Sequence, residues 1–157
     1  MSGDNVFGVA RLHTRHAAER EDLGTHVLSD RAGLSAIRKQ VRSDLARTTI
    51  DPSAAFDCLV AITEACTQAL AHTADDARRP CISWTIDDGQ ALFYIRDYSS
   101  QEWARASHPS APPSTGEDDL DQRLENLGLQ LMRGLMDDVR IDLQSTGTTV
   151  ILVKTLR

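Results

Sequence analysis

The chain has 157 residues, enough for one ordinary domain, with 41% hydrophobic and 25% charged residues and a formal net charge of -6. This acidic balance argues against a protein that mainly neutralises nucleic-acid phosphates. No run approaches the roughly 20 apolar residues of a membrane span, so we expect neither nucleic acid nor membrane as a direct partner.

Residues 1–30 form an N-terminal segment with the first strand, predicted at Val6–His13. Its polar start lacks the apolar run of a secretory signal, so we expect a cytoplasmic protein. His13 and His16 have a spacing that can bind a metal. No Cys or acidic ligand cluster accompanies them, and we interpret them as solvated surface histidines.

The three cysteines show no CxxC spacing, which is consistent with a reducing cytoplasm. Cys58 and Cys66 lie within one apolar helical run, and we predict that they are small core residues.

From Arg31 the hydrophobic period is that of a helix. Its apolar positions recur at spacings of three and four: Leu34, Ile37, Val41 and Leu45. Arg38 and Arg42 form a separate basic row, which is either a solvated face or a partner-binding surface. Asp51 and Pro52 have the residue types of an N-cap and first helical position, and they predict a second helix over Ser53–Thr73.

After Pro80 the period changes to two, which predicts strands at 82–86 and 92–95 joined by the hairpin signal Asp88-Gly89. The segment 98–121 has little periodicity and is either a functional or a disordered loop. A third helix is predicted at 121–136 with a break near 126–128. Two strands at 139–143 and 150–153 close the chain.

Residues 31–157 are therefore predicted to form the main part of a single α+β domain. With the strand of the N-terminal segment, the predicted order along the chain is β, α, α, β, β, α, β, β. The natural packing is a two-layer sandwich, a mixed or antiparallel sheet covered on one face by helices.

Four features could carry chemistry. The second helix has polar residues sharing one face: Asp57, Glu64, Gln68 and His72. This stripe is either the solvent face of the helix or a ligand site on a largely buried helix. Asp97 ends a strand, Asn126–Gly128 could offer backbone N–H groups to an anion, and Gly147–Thr149 joins the last two strands.

In this order the features resemble the nucleotide boxes of the GHKL ATPase superfamily, and the likeness is greatest to bacterial anti-sigma-factor serine kinases of the sporulation and general-stress type. Thr63–His72 (TEACTQALAH) resembles the S-E-A-V-T-N-A-x-x-H motif, and Arg96–Ser100 (RDYSS) occupies the place of D-x-G-x-G. Asn126–Asp142 is similar to the G-x-G-L-x-I-x-x-x-x-D-x-V stretch, and Gly147–Leu156 to the closing strand. The resemblance covers residues 33–156 and implies the histidine-kinase-like ATPase fold.

The resemblance also implies roles for residues that match the motifs. Glu64 falls on the general base that polarises the attacking serine hydroxyl. Asp97 matches the Asp that hydrogen-bonds the adenine amino group, and Thr148 the Thr that supports it. Gly128 matches the second glycine at the start of the third helix. Arg38 stands where the family carries an Arg that contacts the sigma factor.

Three positions depart from the family pattern. Gln68 replaces the Asn that coordinates Mg²⁺, and it keeps the carbonyl oxygen on a side chain one methylene longer. Ser99 replaces a glycine bordering the purine, and Asn126 replaces the first glycine of the third helix.

The resemblance implies a homodimeric anti-sigma factor that uses ATP and Mg²⁺ to phosphorylate a serine on an antagonist protein. Its partners would be that antagonist and an alternative sigma factor. The changed positions keep a second reading open, a kinase-inactive regulator that sequesters a partner. A third is a scaffold that uses the old nucleotide pocket for another ligand.

Overall fold

The computed structural model describes residues 25–73, 78–87, 89–98 and 117–156. Five strands and three helices follow one another along these residues: β1 (Thr25–Val27), α1 (Arg31–Leu45), α2 (Pro52–Ala71), β2 (Cys81–Ile86), β3 (Gln90–Asp97), α3 (Glu117–Leu135), β4 (Asp138–Gln144) and β5 (Gly147–Thr155). The predicted strand at Val6–His13 and the metal reading of His13 and His16 lie outside the described residues.

The strands form one sheet in the order β1-β2-β3-β5-β4, and every neighbouring pair is antiparallel. Buried side chains of the sheet and of all three helices meet in one hydrophobic core. This arrangement confirms the predicted α+β two-layer sandwich. The core-facing row of β3 runs through Ala91, Phe93 and Ile95, so side-chain alternation places Asp97 on the same face.

Helix α1 follows its sequence pattern closely. Asp30 caps it by accepting a hydrogen bond from the Gly33 N–H at 2.8 Å. The predicted apolar stripe is buried, and Arg38 and Arg42 are exposed. Asp44 is also buried, because its carboxylate accepts hydrogen bonds from the Trp84 indole at 2.9 Å and from the Gln40 amide at 3.1 Å.

Helix α2 lies at the centre of the helical layer, against α1, α3, β3 and β5. Asp51 caps it and Pro52 is its first residue, as predicted. Cys58 and Cys66 are fully buried core residues, which confirms their interpretation. The expectation that no segment is long and apolar enough to cross a membrane was wrong. Helix α2 is long enough and apolar enough to do so, judged by its length and composition alone. Its buried face packs in the core of this domain.

The predicted hairpin between β2 and β3 is present, and a second hairpin joins β4 and β5. The backbone N–H of Asp87 donates to the carbonyl of Gln90 at 3.0 Å around the first turn, and Gln144 pairs with Gly147 around the second. Strand β1 was not predicted, since three residues are too few to show a period. Most of the predicted loop over 98–121 lies outside the described residues.

The predicted break in the third helix was wrong. Helix α3 is continuous from Glu117 to Leu135, so the backbone N–H groups at 126–128 are part of the helix interior. Gly128 does not end the helix. It faces α2 at a point where a side chain would overlap with the Gln68 amide and the Glu64 carboxylate.

Candidate functional site

The sheet contributes two buried polar residues to the helix-facing side. Asp97 is 2% exposed and lies directly opposite Thr148, which is 1% exposed, in the β3–β5 pairing. The Thr148 hydroxyl has no hydrogen-bond partner among the described residues. Gly147, with φ of +144°, allows the start of β5 to pass close to the Asp97 carbonyl, where a Cβ would overlap with it. Buried polar groups are normally hydrogen-bonded, so Asp97 and Thr148 together could bind a polar ligand.

Helix α2 contributes Glu64, Gln68 and His72, each one turn apart. The Gln68 Nε2 donates to Glu64 Oε1 at 2.7 Å, and Gln68 is only 7% exposed. The solvent-face reading is therefore wrong for Gln68, which is covered by α3. The Gln68 Oε1 is buried and has no partner within the described part of the chain.

Asp57, the fourth member of that stripe, lies apart from the site. Its carboxylate pairs with the Lys154 Nζ on β5 at 3.4 Å, and the same ammonium group donates to the carbonyl of Leu135 at the end of α3. Asp57 therefore ties α2 to β5 and to the end of α3.

Helix α3 packs beside α2 and covers the α2 part of the site. Glu125 Oε1 lies 2.5 Å from His72 Nε2, and His72 Nδ1 lies 3.8 Å from Asp97 Oδ2. The imidazole is 6% exposed and stands between carboxylates from α3 and β3. Three residues further along, Gly128 packs on Gln68 and Glu64. The neighbouring Asn126 is half-buried.

The structure thus brings together most of the predicted site residues: Glu64, Gln68, Asp97, Gly128 and Thr148. Asn126 lies half-buried on α3, two residues before Gly128, and takes no part in these contacts. Ser99 lies outside the described residues. Arg38 and Arg42 are exposed on α1 and take no part in the contacts of this cluster described above. Glu125 was missed, because a single Glu on an amphipathic helix gives no signal before the helix is placed.

The site is acidic, since the carboxyl groups of Asp97 and Glu125 flank His72 and Glu64 lies about two turns away on α2. An anionic ligand would need a cation beside it to enter such a field. The described residues contain no group of three or more His, Cys, Asp and Glu side chains able to hold a metal ion by themselves. The orphaned Gln68 Oε1 is nevertheless a hard oxygen donor of the kind that Mg²⁺ takes together with phosphate oxygens, so the residues present fit that ion.

A second missed feature lies on the outer face of α3. Four leucines are exposed at spacings of four, three and four: Leu120, Leu124, Leu127 and Leu131. The spacing could have been read from the sequence, but leucine at such spacing predicts a buried face. The inner face of α3 is formed instead by Gly128, Leu129 and Met132.

The sequence model of the family described as Histidine kinase-like ATPase domain matches residues 27–154. The chain is 31% identical over 103 residues to the serine-protein kinase RsbW of Bacillus licheniformis, and this alignment covers 64% of each protein. The chain therefore spans less than two thirds of that relative's length. A chain of the SiaB–SiaC complex from Pseudomonas aeruginosa has a similar fold, with a TM-score of 0.64 at 14% identity, over 95% of this chain and 99% of that chain.

Proposed function

We propose, from the premise that this chain belongs to the histidine kinase-like ATPase domain family, that it is a cytoplasmic regulator of the anti-sigma-factor type that binds ATP. The observation that supports this most is two pairs of polar residues, Asp97 opposite Thr148 and Gln68 hydrogen-bonded to Glu64. His72 links the two pairs, since it lies one turn after Gln68 and its Nδ1 is 3.8 Å from Asp97 Oδ2. The similarity to a protein named as a serine-protein kinase supports a kinase-type site.

In this proposal each end of the site has its own task. Asp97 accepts a hydrogen bond from the amino group of adenine. The Thr148 hydroxyl beside it makes no hydrogen bond to the described residues and can therefore bond to the ligand. Gln68 would hold Mg²⁺ through Oε1, and the ion would supply positive charge that offsets the phosphates and the site's carboxylates.

Glu64 is the residue placed to move a proton. A partner's serine hydroxyl would donate its proton to a Glu64 carboxylate oxygen as the serine oxygen attacks the γ-phosphorus of ATP, with ADP as the leaving group. In this structure the Oε1 of Glu64 is already held by Gln68, so only the other oxygen is available without a change of the Gln68 side chain.

That hydrogen bond favours a second candidate, a regulator that binds a partner without phosphoryl transfer. A carboxylate that is hydrogen-bonded and covered by Gly128 is less able to reach a serine. The third reading, a scaffold that binds another ligand in this pocket, has no observation of its own in its favour.

The proposed partners are an alternative sigma factor, a serine-bearing antagonist and a second copy of the chain. The structurally similar chain belongs to a complex of two proteins, SiaB and SiaC, and this supports binding of an antagonist-type partner by the fold. The exposed row of Arg38 and Arg42 on α1 is the proposed sigma-factor surface. No role in the binding of nucleic acid or membrane is proposed.

A calorimetric titration with ATP, with and without Mg²⁺, tests the proposal. Mg²⁺-dependent binding of ATP by the intact chain is the expected result, and absence of binding at millimolar ATP would contradict it. Transfer of the γ-phosphate to a candidate antagonist, compared between the intact chain and Glu64→Gln, then separates the kinase from the binding-only regulator.

A further inference from the structure

His72, the last residue of the TEACTQALAH motif, connects the two ends of the site. It is the C-cap residue of α2, and its buried ring stands between Asp97 on β3 and Glu125 on α3. Three elements that are distant in sequence therefore meet at one imidazole.

The two contacts of the ring differ in kind. At 2.5 Å, His72 Nε2 and Glu125 Oε1 are within hydrogen-bond distance. At 3.8 Å, Nδ1 and Asp97 Oδ2 are within ion-pair range but beyond a hydrogen bond. Glu125 therefore holds the ring, and the ring faces the carboxylate of Asp97.

We infer that His72 and Glu125 are positioning residues that set the orientation of the Asp97 carboxylate and so determine how well the site distinguishes adenine from other purines. The inference rests on the proposed function, in which Asp97 reads the base. A buried carboxylate takes its orientation from the polar groups around it, because it has little solvent to turn toward. Glu125 does not touch the base and acts only through His72.

The arrangement makes base recognition depend on α3. Glu125 and Gly128 are less than one turn apart on that helix, the first against His72 and the second against Gln68 and Glu64. A movement of α3 would change the support of Asp97 and the packing of Gln68 together.

The test compares ATP with ITP, which differ only at the base. ATP presents an amino donor to Asp97, whereas ITP presents a carbonyl oxygen that the carboxylate repels. The ratio of their dissociation constants reports the orientation of Asp97 and is insensitive to a general loss of phosphate binding.

We expect the intact chain to prefer ATP by at least about tenfold, as for one charged hydrogen bond. Glu125→Ala and His72→Ala should each reduce this preference about fivefold or more. The double variant should lose no more than either single variant, because both act on one carboxylate. Glu125→Gln, which keeps an oxygen acceptor, should retain most of the preference. Gln130→Ala, exposed on the same helix, is the control and should behave as the intact chain does.

An unchanged ATP-to-ITP ratio in Glu125→Ala, with a folded protein by circular dichroism, would overturn the inference while leaving adenine recognition by Asp97 intact. The inference would also be overturned if the double variant lost as much of the ATP preference as the two single variants together. If the intact chain binds ATP and ITP equally, base reading by Asp97 fails and the inference falls with it.

Discussion

Gln68 holds Glu64: the amide Nε2 of the first donates to the carboxylate Oε1 of the second at 2.7 Å, beneath the backbone of Gly128. The proposed general base is thus hydrogen-bonded to one of the three residues that depart from the family pattern. The extra methylene of Gln68 makes this residue a test of both the metal and the base.

Replacing Gln68 by Asn should improve the Mg²⁺-dependent affinity for ATP or leave it unchanged. The shorter side chain restores the family's residue and releases the Glu64 carboxylate. Titration with ATP at fixed Mg²⁺ measures the change. Gln130→Asn, exposed on α3, is the matched control for the same chemical change outside the site. A marked loss in Gln68→Asn would show that Gln68 is adapted to a different ligand.

The two glycines of α3 give an internally matched pair. A Cβ at Gly128 would overlap with the ends of the Gln68 and Glu64 side chains, whereas a Cβ at Gly134 would meet nothing within 4 Å. Gly134→Ala should raise stability by up to about 1 kcal/mol through helix propensity. Gly128→Ala should gain less stability, because the Gln68 and Glu64 side chains must move. The loss of the hydrogen bond between them costs about 0.5–1.5 kcal/mol.

Nucleotide affinity separates the two glycine variants further. We expect Gly128→Ala to weaken binding of ATP with Mg²⁺, and Gly134→Ala to leave it unchanged. Thermal melting and calorimetry measure the two effects. Equal nucleotide affinity in both variants would contradict a ligand site at the Gln68–Gly128 contact.

Asp97→Asn should weaken ATP binding about tenfold or more, since a hydrogen bond to a charged acceptor is worth about 1.5–3 kcal/mol. Asp97 is buried at the end of the core-facing row of β3, so its carboxylate is not a solvated surface group. The control is Asp142→Asn on β4, where the side chain is exposed. An affinity that Asp97→Asn leaves intact would remove Asp97 from the adenine site.

The sequence predicted the helices and the long strands because each has enough residues to show a hydrophobic period. It also predicted that Asp97 and Thr148 belong to one site, and their pairing across β3 and β5 is consistent with that. The break at 126–128 was predicted from composition, since glycine commonly ends a helix. Here Gly128 is instead required for close approach of α2 and α3.

Contacts between elements were beyond sequence reasoning. Asp44 sits on a helix as any surface Asp would, and only the packing of α1 on the sheet brings it to the Trp84 indole. Glu125 becomes a site residue in the same way, once α3 lies on α2. Single polar residues have no period, so their partners depend on tertiary structure alone.

The proposed partner surface and the proposed site should respond to different substitutions. Arg38→Ala should weaken sigma-factor binding by more than about 2 kcal/mol without changing the melting temperature or ATP affinity, as for an interfacial hot spot on an exposed row. Glu64→Gln should abolish any phosphoryl transfer and spare partner binding. Capture of candidate sigma factors by the two variants measures the separation. Equal capture by Arg38→Ala would contradict the surface, and failure to capture any sigma factor would contradict the anti-sigma proposal.

The buried thiols predict a labelling pattern and a pH dependence. Burial raises the pKa of Cys58 and of Cys66 from 9.0 to about 12, whereas Cys81 is only half-buried. At pH 8 about one in ten thousand of the buried thiols is ionised, so maleimide should label Cys81 in the folded chain and all three cysteines after denaturation. Because the folded pKa is raised, the stability contribution is complete below pH 9 and decreases as the pH rises toward 12.

The turn between β4 and β5 controls the site without contributing a side chain to it. Ser145 and Thr146 form its two-residue loop. The Gln144–Gly147 pair closes the loop and sets the register in which β5 pairs with β4. Since successive side chains point to opposite faces, a single inserted residue that shifts the pairing would send Thr148 to the far side of the sheet and bring its neighbour opposite Asp97. The number of residues in this loop, rather than their side chains, therefore determines which face of the sheet Thr148 occupies, and so whether Thr148 lies beside Asp97.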